Sequence, residues 1–296
     1  EVIVSTWEGS DVSGLDADFI LRSQDPGATP FTNPIKPNKI NNVNRQIIST
    51  LAGLKVAKHP YAVKMRGDTL ITGNNFISIF EKKFSRYRDI IIFNQRILTV
   101  CYYCRDPNIY PLLHHPGDIF QFGTREDLLK LWDIPLAPEP ETSRWLENKE
   151  RPHPDLRAQE LLRYTPEQYI WIACLRKHGF NIQLDHPCQI KSGQIVFSEL
   201  AIVNNFIIGQ PKQMGIKLPN RIRSGDPFSI YLYKDWLLSQ KKYCNGALSQ
   251  TEYILKFTRK IVRRILCFFY LSTKNFIVFL RNNFGEKVIP VITFKN

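Results

Sequence analysis

The stretch EVIVSTWEGSD (Glu1 to Asp11), read with NNVNRQIISTLAGLKVAKH (Asn41 to His59) and YAVKMRGDTLI (Tyr61 to Ile71), decides the class of fold. The first is a short apolar strand, Val2 to Ser5, ending in a polar turn that carries Trp7. The second is a helix over Val43 to Lys58. Ile47, Leu51 and Leu54 recur on one face, and Asn44, Arg45 and Gln46 stand in its first turn. His59-Pro60 ends it, because the residue before a proline is pushed out of the helical region. The third is a strand over Ala62 to Met65, followed by Arg66 and Asp68. Strands and helices in alternation indicate an α/β fold with a mixed or parallel sheet. In open sheets of this kind ligands bind at the carboxyl ends of strands, where loops and helix N-termini converge. Two polar strand ends and a polar helix start make a candidate site for a charged ligand such as a nucleotide.

Working outward, Asp25-Pro26-Gly27 reads as a turn and Thr29 to Asn42 as a loop. Asp89 to Phe93 and Leu98 to Tyr103 are apolar enough for buried strands. Thr124 caps a predicted helix through Leu131, with Glu126 and Asp127 at its positive end. Thr165-Pro166-Glu167-Gln168 is a capping box with proline at the first helical position, and that helix should end near Gly179. Pro135 to Pro154 is an excursion, a lid or a connector. A last capping box, Ser249 to Glu252, opens a helix towards Asn283, with a candidate break near Ser272. Ile254, Phe257, Ile261, Ile265 and Phe268 share one face of it, and Lys256, Arg259, Lys260 and Arg263 lie roughly opposite.

The chain has 296 residues, 43% of them hydrophobic and 12% aromatic, which suffices for a substantial core. Its net charge of +13 is uneven: residues 241–296 hold 11 basic and 2 acidic residues, so most of the excess sits in the last fifth. Six cysteines are scattered, and only Cys101 and Cys104, in CYYC, stand close; no second pair follows at zinc spacing. They read as buried strand thiols in a reducing compartment. The longest strongly apolar run, Ile265 to Leu271, is far short of the ~20 residues a membrane span requires. No P-loop, Gly-x-Gly-x-x-Gly or nucleophile elbow is present; Lys191-Ser192-Gly193 lacks the upstream glycines.

Longer motifs add a resemblance. STWEGSDVSGLD, QDPG (Gln24 to Gly27), NVNRQIISTLAGL, YAVKMRGDTL, GDIFQFGTREDLLKLW (Gly117 to Trp132), TPEQYIW (Thr165 to Trp171) and ELAIVNNFIIG (Glu199 to Gly209) follow in order over roughly residues 1 to 220. The chain resembles the WavE lipopolysaccharide-synthesis family, a group assigned as bacterial glycosyltransferases. The resemblance implies a glycosyltransferase-A-like mixed sheet flanked by helices over residues 1–240, with a basic amphipathic helical extension over 241–296. Similar proteins start earlier, with an apolar strand and a polar turn, so it also implies that a strand of the nucleotide pocket precedes Glu1.

A sugar-nucleotide transferase must neutralise a phosphate leaving group, align an acceptor hydroxyl and, if it inverts, take that hydroxyl's proton. Asp68 stands where this fold often carries Asp-X-Asp and is the candidate ligand for Mn²⁺ or Mg²⁺, but Arg66 replaces the first Asp of that motif. Arg66 and Lys64 are therefore candidates for direct phosphate contact. Arg45, at a helix N-terminus, gains from a bound anion. Trp7 can stack on a base or sugar, and Asp11 or Asp16 can bind polar edges of a nucleotide. Asp118, after His114 and His115, is the candidate general base; a metal held by that His pair is the alternative reading. Glu167 is explained by helix capping alone, and its place in the matching EQY motif adds a catalytic or acceptor role. Asn204 and Asn205 are candidates for binding acceptor hydroxyls.

The leading reading is transfer of sugar from a nucleotide sugar to a lipid-linked glycan acceptor on the cytoplasmic face of the plasma membrane. The basic helix would bind the anionic inner leaflet, where each basic residue near the surface contributes about 1 kcal/mol. Transfer of a sugar phosphate is the second enzymatic reading. Binding to nucleic acid is the non-enzymatic one; the charge is confined to one end and no RNP, KH or zinc-finger pattern is present, so no nucleic-acid partner is expected.

Overall fold

The computed structural model describes residues 1–33, 38–153, 160–191, 193–223 and 226–284. Part of the loop Thr29 to Asn42, Pro154, Ser192 and the end of the C-terminal extension lie outside them. In chain order the elements are β1 (Ile3–Trp7), β2 (Phe19–Ser23), β3 (Thr29–Pro30), β4 (Ile40–Asn41), α1 (Val43–Val56), β5 (Tyr61–Met65), β6 (Leu70–Ile71), α2 (Asn75–Phe80), β7 (Ile97–Val100), β8 (Phe120–Thr124) and α3 (Arg125–Trp132). They continue with α4 (Pro166–Lys177), α5 (Gln194–Asn205), β9 (Phe206–Gly209), α6 (Pro211–Met214), β10 (Ile216–Lys217), α7 (Asn220–Arg223), α8 (Tyr233–Cys244) and α9 (Gln250–Phe284).

The centre is a four-stranded mixed sheet in the order β5-β8-β7-β9. β8 runs antiparallel to both β5 and β7, and β7 pairs parallel with β9. The carboxyl ends of β5, β7 and β9 therefore share one edge with the start of β8. Alternation of side chains across each strand divides the core in two. Ile97 and Phe206 pack with Ile47, Leu128, Trp132 and Trp171 beneath α1, α3 and α4. Leu98, Phe120, Phe122 and Ile207 pack on the other face with Phe76, Met214 and Trp236. β1 and β2 form a separate parallel pair, which lies against α1. The fold is thus mixed α/β, a small sheet flanked by helices.

The capped helices form as local chemistry dictates. Thr124 Oγ1 accepts from Asp127 N at 3.1 Å. Thr165 Oγ1 accepts from Gln168 N at 3.3 Å, and Gln168 Oε1 accepts from Thr165 N at 3.1 Å. The excursion after Pro135 folds back onto the body, where Asn41 Nδ2 donates to Ser143 Oγ at 3.0 Å and Glu139 Oε1 at 3.1 Å.

Four expectations need correction. Asp89 to Phe93 is not a strand, because its backbone is bonded by the side chains of Asn204 and Asn205 rather than by a neighbouring strand. CYYC is not a strand end: β7 stops at Val100, Cys104 N closes a turn onto Cys101 O at 3.0 Å, and Tyr103 has φ 63°. Both thiols are buried as expected, and burial pushes Cys101 up to about 12. α9 continues through Ser272 without a break. Its basic face is not turned outward. Arg259 and Arg263 donate to Asp235, Lys260 donates to Glu199 at 3.1 Å, and Lys256 donates to Ser239 Oγ at 2.9 Å. Asp235 and Glu199 are almost completely buried, and an unpaired buried carboxylate is costly, so the cations are drawn inward.

Candidate functional site

The polar end of the sheet holds a cleft of about 240 Å³ lined by Gln46, Arg66, Tyr103, Asp118, Ile119, Glu167, Arg221 and Ile222. Its position follows from register. Lys64 pairs with Gln121, Met65 with Phe120, and Arg66 N donates to Ile119 O at 3.1 Å, so the end of β5 lies beside Asp118. Gly117 makes this approach possible. A Cβ there would sit 2.8 Å from Tyr102 O and 3.0 Å from Val100 O, both backbone atoms with little freedom to give way. Gly117 O accepts from Thr99 Oγ1 at 2.9 Å and Gln121 Nε2 at 3.0 Å, which fixes the residue that carries Asp118 into the cleft.

Lys64, on β5, does not line the cleft. Its ammonium donates to the Asp118 carbonyl and sits 4.7 Å from the centre of the Trp132 ring. Burial lowers its pKa, the Asp118 charge opposes that, and Arg66 reinforces it. Trp132 is itself held by Gln121, whose Oε1 accepts the indole N–H at 2.7 Å.

The Glu167 carboxyl has the most strongly altered acidity in the cleft. Burial first, then the charge of Asp118, raise it to about 8 against the pull of Arg105 and Lys64. His115 lies beside it, with Nε2 3.6 Å from Glu167 Oε2. Burial holds His115 neutral, down at about 3. Its Nδ1 is 2.6 Å from Tyr103 O, a partner that can only accept, so the proton belongs on Nδ1 and Nε2 faces Glu167 with a lone pair. At neutral pH Glu167 thus keeps its proton, and it shares the cleft with Asp118 and the Arg66 guanidinium. Among the described residues no hydrogen bond ends on the Asp118 carboxylate.

Asp68 stands at the rim. Partial burial opposes its ionisation, and hydrogen bonds from Arg66 and Arg221 outweigh that, holding it at about 2. Arg66 Nε is 3.1 Å from Oδ1, and Arg221 Nε is 3.0 Å from Oδ2. A carboxylate already shared by two guanidinium groups does not fit a divalent cation. Among the described residues no group of three His, Cys, Asp or Glu side chains could hold one. His114 and His115 do not make a pair, since the His114 ring lies against Phe197 while His115 faces Glu167.

The other predicted residues lie elsewhere. Asp11 closes a turn onto Ser13, with its carboxylate 2.9 Å from the amide and 2.6 Å from the hydroxyl. Trp7 ends β1, and neither it nor Asp11 lines the cleft. Arg45 is bound in a fork to Asp25 at 2.7 and 2.5 Å, and its neighbour Gln46 reaches the cleft instead. Asn204 and Asn205 are fully buried. Their amides bond Tyr87, Asp89, Ile90, Ile92 and Phe93 backbone groups, leaving nothing to offer an acceptor. Tyr103 and Arg221 were not foreseen. The second tyrosine of CYYC and an arginine in PNRIR carry no pattern that marks them as site residues.

A family model described as WavE lipopolysaccharide synthesis matches residues 1–270. The chain belongs to the WavE family. Membership ties this WavE chain to lipopolysaccharide synthesis. No curated protein and no solved structure matches it. No described helix is long and apolar enough to cross a membrane.

Proposed function

We propose that this WavE-family chain is a glycosyltransferase that moves a sugar from a nucleotide-sugar donor to a lipopolysaccharide acceptor. The observation that carries the reading is the Asp118–Glu167 carboxyl pair set beside Arg66 in one cleft, with the Lys64 ammonium on the Asp118 backbone behind it. The glycosyltransferase-A-like description of the fold belongs to the same proposal. It is supported by a mixed sheet whose polar cluster lies at the carboxyl ends of like-directed strands.

For an inverting transfer the residues divide as follows. The acceptor hydroxyl gives its proton to the Asp118 carboxylate as its oxygen forms a bond to the anomeric carbon. The bond from that carbon to the donor phosphate breaks, and the electron pair leaves with the nucleotide. Arg66 meets the charge that develops on the phosphate, a role suited to a fixed cation in the cleft, while Lys64 braces the backbone that carries Asp118. Asp68 accepts from the Arg66 guanidinium and is itself held by Arg221. Protonated Glu167 donates a hydrogen bond to substrate rather than competing for the proton.

A second reading, transfer of a sugar phosphate, is favoured by the two guanidinium groups around Asp68, since arginine matches phosphate oxygens in pairs. Product mass separates the two, because phosphotransfer leaves a phosphodiester. The first test is thermal unfolding with UDP, GDP, CMP and their common sugars, each with and without Mn²⁺. A ligand that binds only the folded state raises stability in proportion to ln(1 + [L]/Kd). One nucleotide class is expected to stabilise the wild type, equally without Mn²⁺, and to lose its effect in Arg66→Ala. No shift with any nucleotide would overturn the reading.

A further inference from the structure

α9 shows an inverted amphipathic arrangement. The cations at positions 256, 259, 260 and 263 are directed at the body, bound to Ser239, Asp235 and Glu199. Lower on the same face Cys267 is buried and Tyr270 meets the Phe228 ring. The apolar stripe is left outside. Tyr253, Ile254, Phe257, Ile265, Phe268 and Phe269 are 50 to 67% exposed. Scattered exposed hydrophobic residues need no explanation, but a continuous stripe along several turns marks an interaction surface. Nothing in the described chain covers it.

We propose that the outward face of α9 lies in the interface of an anionic lipid bilayer, with the helix parallel to the membrane plane. Three observations choose this occupant. The whole chain carries +13, which attracts an anionic surface and repels a second copy bearing the same charge. The stripe is the convex side of a single helix, a shape that suits a fluid, planar medium and offers no groove to a protein partner. Four of its six most prominent members are aromatic, the residue type that settles at the boundary between headgroups and acyl chains. Exposed Arg264 lies within the stripe and can reach lipid phosphates, since a long cationic side chain keeps its head in the polar layer. The helix does not cross the bilayer: no described helix is apolar enough, and its inner face is committed to the body. Apolar contact supplies the affinity, and the net charge supplies the preference for anionic lipid. This mode differs from one in which a basic stripe faces the lipid, and it holds whatever reaction the cleft performs.

The test is flotation of the full chain with vesicles of phosphatidylcholine alone and of phosphatidylcholine mixed with phosphatidylglycerol. Wild type is expected to float with the mixed vesicles and much less with the neutral ones. The triple variant Phe257→Glu, Phe268→Glu, Phe269→Glu should lose on the order of tenfold or more of that binding while keeping its circular dichroism spectrum. Phe268→Trp, read by fluorescence, should shift to the blue when mixed vesicles are added. Wild type that stays unbound overturns the proposal. So does a triple variant that floats as well as wild type. Light scattering showing a wild-type dimer, a monomeric triple variant and no vesicle binding by either would overturn it in favour of an interface between copies.

Discussion

Replacing Glu167 by Gln is expected to stabilise the protein above mildly acidic pH, by an amount that grows with pH. Burial first, and the Asp118 charge second, lift this carboxyl from 4.5 to about 8. In the unfolded chain it ionises near the lower value, and in the folded chain it keeps its proton until the higher one. Between those limits the folded state binds one proton more than the unfolded state. Stability therefore falls as pH rises, by about 1.4 kcal/mol per pH unit. It is fully present below the unfolded value and lost by the time pH passes the folded one. The whole interval is worth on the order of 5 kcal/mol, of which about 3 kcal/mol is lost by neutral pH. Gln has nearly the same shape and no charge, so Glu167→Gln lacks this slope. The assay is urea unfolding of both proteins from about pH 5 to about pH 9, read as the difference between them. His114 and His115 are held neutral by burial, down to about 4 and about 3, and their acid-side destabilisation is common to both proteins. The curves should meet near the acid end and separate steadily upward. Curves that stay parallel would refute the argument that burial beside Asp118 controls Glu167. A gain in stability coupled to a loss of transfer would mark the carboxyl as one kept for function at the expense of the fold.

Two further outcomes follow from the packing. Asp235→Ala leaves the Arg259 and Arg263 guanidinium groups without their counter-charge and should cost about 3 to 5 kcal/mol. Hydrogen exchange should rise along α9 before the central sheet, and unchanged protection there would show that these ion pairs do not hold the helix. Asn205→Ala strips partners from Ile90 O, Ile92 N and Ala201 O in the core and should cost about 3 kcal/mol in chemical unfolding. A loss below about 1 kcal/mol would count against its role as a clamp.

Much of the local structure was legible because its causes are local. The caps of α3 and α4 are side-chain bonds spanning three residues, and both stand where Thr124 and Thr165 indicate. α1 and β5 follow from spacing and from the proline after His59. Asp89 to Phe93 misled because an apolar segment satisfied by side-chain amides has the same composition as one satisfied by a strand. Asn204 and Asn205 misled for the complementary reason: a polar pair reads alike whether it faces solvent or a buried loop.

The candidate site was legible in its parts and not in its assembly. Lys64, Arg66 and Asp118 were marked by their positions at strand ends, and register then brought β5 against β8. Glu167 reads as an ordinary helix-start carboxylate until the fold places it beside Asp118 and His115, and its altered acidity exists only there.

α9 shows the same division most clearly. The helix, its two stripes and its family can be read along the chain, since periodicity and motif order are properties of residue order. Which stripe turns inward was decided by tertiary structure alone. Glu199 and Asp235 come from α5 and α8, and only the folded chain sets these buried carboxylates opposite Lys260, Arg259 and Arg263. The cost of leaving such charges unpaired draws the basic face inward and leaves the apolar face outside.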